Sequence, residues 1–274
     1  MFFLIYSFDF IYGCLHGGPR SFWTQDLLFF YRGTPYPVTV CSVETFQALE
    51  NLEARRDDVL LVSYPKCGVN WLIQILSDLI FTTTQSKPVS TELPFIECGD
   101  PGKYQILVLF RNPKDTAVSF FHFHNSAPGV PSYSSWDEFF SEFMNGKVVW
   151  GSYFDHAVTW NKHIEDENIM TIIYEDLKEN LTASVKQIAE FFGFSLTAEQ
   201  IQSIADRATF QEVKDKAQET HGAVGSILFR KGVVGDWKNL FTDAQNQEMD
   251  AKFKVCLEGT KLGAKLKYDV YCKT

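Results

Sequence analysis

The stretch Val59 to Ile80, VLLVSYPKCGVNWLIQILSDLI, constrains this chain more than any other. An apolar run ends at Ser63-Tyr64, a turn carries Pro65, Lys66 and Gly68, and a helical pattern follows. Leu72, Ile75, Leu76, Leu79 and Ile80 recur at i, i+3, i+4, i+7 and i+8, the spacing of one buried helical stripe. A strand, a glycine-bearing turn and a helix bring backbone N–H groups together where an anion is favoured, and Lys66 adds a full charge. This is not a Walker A loop: no second glycine stands ahead of the lysine, and Cys67, not Ser or Thr, follows it. Taken alone, the stretch fits an anion-binding loop and an ordinary strand-to-helix turn equally well.

The rest of the chain repeats the alternation. Ile106 to Phe110 reads as a strand buried on both faces, after which Asn112 is a candidate helix N-cap and Pro113 fits the first helical position. Ser135 with Glu138 has the capping-box pattern ahead of an aromatic helix that Gly146 closes. Ile169 to Tyr174 reads as a further strand, with a helix after it that ends at Gly193. Ser42 to Arg55 reads as helical, while Thr82 to Gly102 shows no element. Strands alternating with helices predict an α/β fold with a central, mostly parallel sheet flanked by helices. Residues 1–40 read as an irregular N-terminal extension, and residues 41–274 as a single domain. In open parallel sheets, ligands sit beyond the carboxyl ends of the strands. Lys66, Arg111 and Tyr174 each fall at such an end, so the pattern places them on one rim.

Three stretches carry a resemblance. YPKCGVNW (Tyr64 to Trp71) resembles the 5′-phosphosulfate loop of the cytosolic sulfotransferases, usually YPKSGTTW. RNPKDTAVSFFHFHN (Arg111 to Asn125) and RKGVVGDWKN (Arg230 to Asn239) resemble that family's two 3′-phosphate motifs, with YEDLKEN between them. The resemblance runs from about Gly33 to the C-terminus, and CGVNW together with LGAKLKYDVYC points to the 6B branch.

The resemblance implies a P-loop-like sulfotransferase fold. It also implies 3′-phosphoadenylyl sulfate as co-substrate, and sulfuryl transfer to a hydroxyl or amine of a small-molecule acceptor. Lys66 would act on the bridging oxygen, stabilising charge on the leaving group. Amides of Cys67, Gly68, Val69 and Asn70 would cradle the 5′-phosphate, and Trp71 would stack on adenine. Arg111, Ser119, Arg230 and Lys231 would hold the 3′-phosphate, and Gly232 would allow close backbone approach. Tyr174, Ala208, Thr209 and Phe210 match positions near the adenine. No metal is implied.

Two departures matter. The family's general base is a histidine in a KTHLP-like motif, yet no His stands between Lys66 and Arg111, and that segment is a few tens of residues shorter than the family pattern. The sheet is therefore expected to be short of one strand, and a nucleotide-binding chain without turnover is the alternative reading. In the dimer pattern KxxxTVxxxE, Lys238 and Thr242 fit, but Asp243 and Gln247 replace Val and Glu, which disfavours a homodimer.

Composition removes other classes. A formal net charge of −9 argues against nucleic acid, whose phosphates need a basic face. Six scattered cysteines without a CxxC pair favour free thiols and a cytoplasmic location. The apolar start MFFLIYSFDF lacks a basic residue and is broken by Asp9, so it makes a poor signal peptide and a poor membrane span. Cys67, at a helix start beside Lys66, is expected to have a lowered pKa. A tyrosine-phosphatase loop would need Arg where Ile73 stands, and a P-loop kinase would need Ser or Thr after Lys66. His122 and His124, two apart in a helix, point to different faces and make a poor zinc pair. The sequon Asn180-Leu181-Thr182 has no meaning in a cytoplasmic chain.

Overall fold

The computed structural model describes residues 3–5, 27–39, 41–49, 59–84 and 105–273. Its centre is a parallel sheet, the α/β arrangement expected. The strands β1 (Phe3–Ile5), β4 (Val59–Ser63), β5 (Gln105–Phe110) and β6 (Ile169–Ile173) lie side by side in the order β1-β4-β5-β6. All five residues of β4 are buried, as suits a strand covered on both faces. In register, Ser63 pairs with Leu109 and Phe110 with Ile173, so β4, β5 and β6 end together on one rim. The sequence predicts a sheet short of one strand; among the described residues it holds four, the backbone of β1 pairing in parallel with β4 from Phe3↔Val59 to Ile5↔Leu61.

Residues 28–37, read above as irregular, form an antiparallel hairpin of β2 (Leu28–Tyr31) and β3 (Thr34–Pro37). Arg32 and Gly33 both have positive φ, 49° and 84°, the conformation of a two-residue turn that suits strand twist. Pro35 and Pro37 are tolerated because this ribbon is all edge. The hairpin rests on Phe46 of α1 (Val43–Leu49), where Tyr31 stacks at 4.8 Å, and the Trp150 N–H donates to the Pro35 carbonyl at 2.9 Å.

Strands β4, β5 and β6 each feed a helix. After β4 comes α2 (Val69–Thr84), whose Leu72, Ile75, Leu76, Leu79 and Ile80 are buried as their spacing predicts. Part of the segment read as lacking an element, residues 85–102, lies outside the described residues. After β5 comes α3 (Pro113–His124), capped by Asn112, whose side chain accepts from the Asp115 N–H. The helix α4 (Trp136–Met144) starts at Ser135 as expected, but only half the capping box forms, because Glu138 turns to the N–H and hydroxyl of Ser134. The helix α5 (Tyr153–Asn161) precedes β6, and α6 (Tyr174–Glu179) follows it. Beyond lie α7 (Leu181–Phe191), α8 (Ala198–Arg207) and α9 (Phe210–Asp215). Asn180, the sequon residue, caps α7 by accepting from the Ala183 N–H.

Candidate functional site

The rim where β4, β5 and β6 end is the floor of a cavity of about 690 Å³, counted to its open mouth. Lys66, Arg111 and Tyr174 meet there: the Lys66 carbonyl accepts from Arg111 Nη1 at 3.3 Å, and the guanidinium lies 4.4 Å over the Tyr174 ring. Residues 45 and 63 positions apart in sequence are therefore in contact because three parallel strands stop in register.

The loop between β4 and α2 is locally strained. Lys66 takes φ of +68°, unusual for a side-chain-bearing residue, and Gly68 takes +107°. A Cβ on Gly68 would sit 2.6 Å from the Tyr174 ring, so the glycine is required by the aromatic neighbour as well as by its φ. The start of a helix favours an anion, and the loop is closed onto α2 by the Trp71 and Leu72 N–H groups, which both donate to the Gly68 carbonyl at 3.1 Å. Cys67 departs from expectation. Its thiol is fully buried, 3.8 Å from the Thr116 hydroxyl, and burial pushes its pKa up to about 12 instead of lowering it. It fills space in the loop and is not a reactive thiolate.

Lys66 is half-buried, with its ammonium 4.8 Å over the Phe123 ring. Burial first, then the charges of Arg111 and Arg230, pull its pKa down to about 7. Arg111, 8% exposed, donates from Nη2 to the Val233 carbonyl at 3.0 Å, tying β5 to the loop that follows Arg230. That loop is also held by Asp115, whose carboxylate accepts from the Gly235 N–H at 2.7 Å and the Trp237 N–H at 3.0 Å. Arg230 and Lys231 share Asp236, at 2.6 Å and 2.7 Å. Ser119, on α3, faces the same cavity.

On the opposite wall, Trp71 is buried and donates from its indole to the Ala208 carbonyl at 2.6 Å. Its ring stands edge-on to Tyr174 at 5.5 Å and to Phe210 at 6.1 Å. Thr209 caps α9, which starts at Phe210. Gly232, with φ of +64°, is pressed on Phe210, whose ring a Cβ would meet at 2.3 Å. Lys66, Gly68, Val69, Asn70, Trp71, Arg111, Ser119, Tyr174, Phe210, Arg230, Lys231 and Gly232 thus line one cavity, while Cys67, Ala208 and Thr209 support it from behind.

Sequence reasoning missed several members. Phe123, Leu228 and Phe229 line the cavity too, and Lys178 lies 5.7 Å from the Trp71 ring and 5.2 Å from that of Phe210. Asp236 was also missed, because an acidic residue beside two cations reads as a solvated charge. His122 and His124 part as expected. His124 is buried and bonded to the Pro131 carbonyl at 2.7 Å, whereas half-buried His122 has its pKa lowered by burial, then by Arg230. No histidine or carboxylate is among the described residues that line the cavity.

The geometry fits an anionic ligand. Two buried guanidinium N–H donors, Arg111 Nε and Arg230 Nε, find no acceptor among the described residues, an arrangement that an incoming phosphate oxygen satisfies.

Comparison with known proteins agrees. A family model described as a sulfotransferase domain matches residues 56–100 and 101–265. Sulfotransferase 6B1 of Homo sapiens is 57% identical over 279 aligned positions, covering 91% of this chain and 92% of that protein. Because 91% of 274 residues is about 249, roughly 30 of those positions face gaps in this chain. Sulfotransferase 6B1 of Danio rerio is 44% identical, covering 91% of this chain and 95% of that protein. A crystal structure of mouse sulfotransferase SULT7A1 complexed with PAP superposes with a TM-score of 0.80 at 31% identity, covering 91% of this chain and all of that one. The chain belongs to the cytosolic sulfotransferase family, beside its 6B branch.

Proposed function

We propose that this chain binds 3′-phosphoadenylyl sulfate and its product adenosine 3′,5′-bisphosphate in the cavity at the sheet rim. The observation that carries this is the convergence of Lys66, Arg111, Arg230 and Lys231 on one opening, with two buried guanidinium N–H donors lacking an acceptor among the described residues. Arg111, Ser119, Arg230 and Lys231 would hold the 3′-phosphate. The amides of Gly68, Val69 and Asn70, with Lys66, would hold the 5′ side, whereas the Cys67 N–H, expected to join them, is given to the Tyr64 carbonyl at 3.3 Å. Trp71, Tyr174, Gly232 and the segment Ala208 to Phe210 would enclose the adenine. The bound nucleotide supplies a sulfuryl group for a hydroxyl or amine of a small acceptor. Lys66 would offset charge on the departing phosphate without a metal ion.

A second reading concerns turnover. The proton of the acceptor needs a base, and the cavity has no histidine or carboxylate among the described residues that line it. The family match also breaks between residues 100 and 101, in the segment from which the histidine motif is missing. Both observations support a chain that binds nucleotide with impaired transfer. Free thiols at Cys41, Cys67, Cys256 and Cys272 support a cytoplasmic setting, and no helix among the described residues is long and apolar enough to cross a membrane. Homodimerisation is not part of the proposal, since Asp243 and Gln247 depart from the dimer pattern.

Calorimetric titration with adenosine 3′,5′-bisphosphate in magnesium-free buffer tests the proposal. Binding that Lys66→Ala and Arg111→Ala abolish is the expected result; a folded wild-type chain that binds no nucleotide overturns it.

A further inference from the structure

Behind the two cations assigned to the 3′-phosphate stands Asp236, only 6% exposed. Its Oδ2 accepts from Arg230 Nη2 at 2.6 Å, and its Oδ1 accepts from Lys231 Nζ at 2.7 Å and from Asn239 Nδ2 at 2.9 Å. The mounting of this carboxylate is rigid. The residues on either side of it, Gly235 and Trp237, both donate their N–H groups to Asp115. Asp115 is itself buried at the N-terminal turn of α3, where it also accepts from Asn112 Nδ2 at 2.8 Å.

This arrangement could act in two opposite ways. Asp236 could compete with an incoming phosphate for the same cations, or it could hold them in place for it. The donor count decides. A guanidinium offers five N–H groups and an ammonium three. Asp236 engages a single nitrogen of each side chain, and the Nε of Arg230, the donor without an acceptor among the described residues, is left over. A carboxylate that fixes one nitrogen while the others stay available orients the cation and does not occupy it.

We infer that Asp236 is a positioning residue for recognition of a nucleotide 3′-phosphate. It fixes the Arg230 guanidinium and the Lys231 ammonium as a pre-formed fork, and so sets the preference of this site for 3′-phosphorylated over plain 5′-nucleotides. The inference rests on the nucleotide reading above and adds to it where the 3′-phosphate selectivity originates.

The test compares adenosine 3′,5′-bisphosphate with adenosine 5′-monophosphate, which differs only in lacking the 3′-phosphate, by calorimetry on wild-type chain, Asp236→Asn and Asp236→Glu. In Asp236→Asn the affinity for the bisphosphate is expected to fall at least about tenfold, the scale of one hydrogen bond to a charged group. Affinity for the monophosphate should change less than about twofold. Should Asp236→Asn fail to fold, Asp236→Glu keeps the charge but displaces it by one methylene, and the same selective loss is expected there. A variant that melts like wild type yet binds the bisphosphate equally or more tightly overturns the inference, since a competing carboxylate would behave that way. An equal loss for both nucleotides overturns it as well, by making Asp236 a general support of the loop. If the wild type binds both nucleotides without preference, assignment of Arg230 and Lys231 to a 3′-phosphate falls, and this inference with it. A preference that persists unchanged in both variants removes this inference alone.

Discussion

Lys66 joins a strained backbone to a perturbed side chain at the site where the proposed function puts its chemistry. Its backbone is left-handed, its ammonium is enclosed, and two guanidinium groups repel it, so with no anion beside it the pKa is about 7. A lysine whose folded-state pKa is lowered opposes folding while protonated, so this contribution to stability improves as pH rises from about 7 toward the ordinary lysine value. An anion beside it reverses the balance, favours the charged form and raises the pKa. Nucleotide binding at pH 8 should therefore take up a fraction of a proton, and affinity should fall as pH rises above about 7. Calorimetry in two buffers of different ionisation enthalpy measures the uptake directly. Lys66→Arg, whose guanidinium does not titrate in this range, should abolish that part of it. Gly68 is the companion case. Gly68→Ala puts a methyl 2.6 Å from Tyr174 at a φ of +107°, a strain of about 1–3 kcal/mol. Because Tyr174 underlies Arg111, melting temperature and nucleotide affinity should drop together in that variant.

Among the elements, α3 is the pillar that joins the site to the end of the chain. Its first turn sends Asp115 to the Arg230–Asn239 loop and Lys114 to the C-terminal region. The Lys114 side chain is fully buried against the rings of Trp237 and Tyr268, pairs with Asp250 at 2.5 Å, and donates to Asn246 Oδ1 and the Cys272 carbonyl. Removing one partner of an enclosed pair costs about 3–5 kcal/mol. Asp250 is a third exposed, so Lys114→Met should cost less, about 2–3 kcal/mol, or roughly 5–10 °C in melting temperature at this chain size. A thermal melt checks this. The elements that sequence made legible are those whose signal is local. The apolar runs of β4 to β6, the Asn112 cap and the stripe on α2 each need only a few neighbouring residues. The hairpin at 28–37 was hidden because Pro35 and Pro37 argue against a strand wherever neighbours are paired on both sides, and pairing is not visible in sequence. The site divides the same way. Lys66, Arg111 and Tyr174 could be placed because strand ends predict a rim. Cys67 is packed against Thr116, 49 positions away, and the residues flanking Asp236 are held by Asp115 from 120 and 122 positions away, which no local pattern reports.

At the scale of the whole molecule, the question is what a chain with the proposed nucleotide site and no histidine between Lys66 and Arg111 can still catalyse. A positioned general base contributes about 10²–10⁴-fold, and its loss should fall on the acceptors that need it most. An aliphatic alcohol stays protonated at neutral pH, so transfer to it should run about 10²–10⁴-fold below the rate of a histidine-bearing relative while nucleotide affinity stays comparable. A phenol acidic enough to be ionised at pH 8 brings its own nucleophilic oxygen, and for it the missing base costs little. The rate on such phenols should therefore exceed that on alcohols by a much wider margin here than in a relative that carries the histidine. The margin should narrow when a histidine-bearing segment from such a relative is inserted between residues 100 and 101, where the family match divides. Steady-state transfer from 3′-phosphoadenylyl sulfate to a graded series of phenols and alcohols, on both chains and the restored one, measures it. Equal profiles on the native and restored chains would mean that another group takes the proton. Activity on phenols alone would make this a sulfotransferase whose acceptors must arrive already ionised.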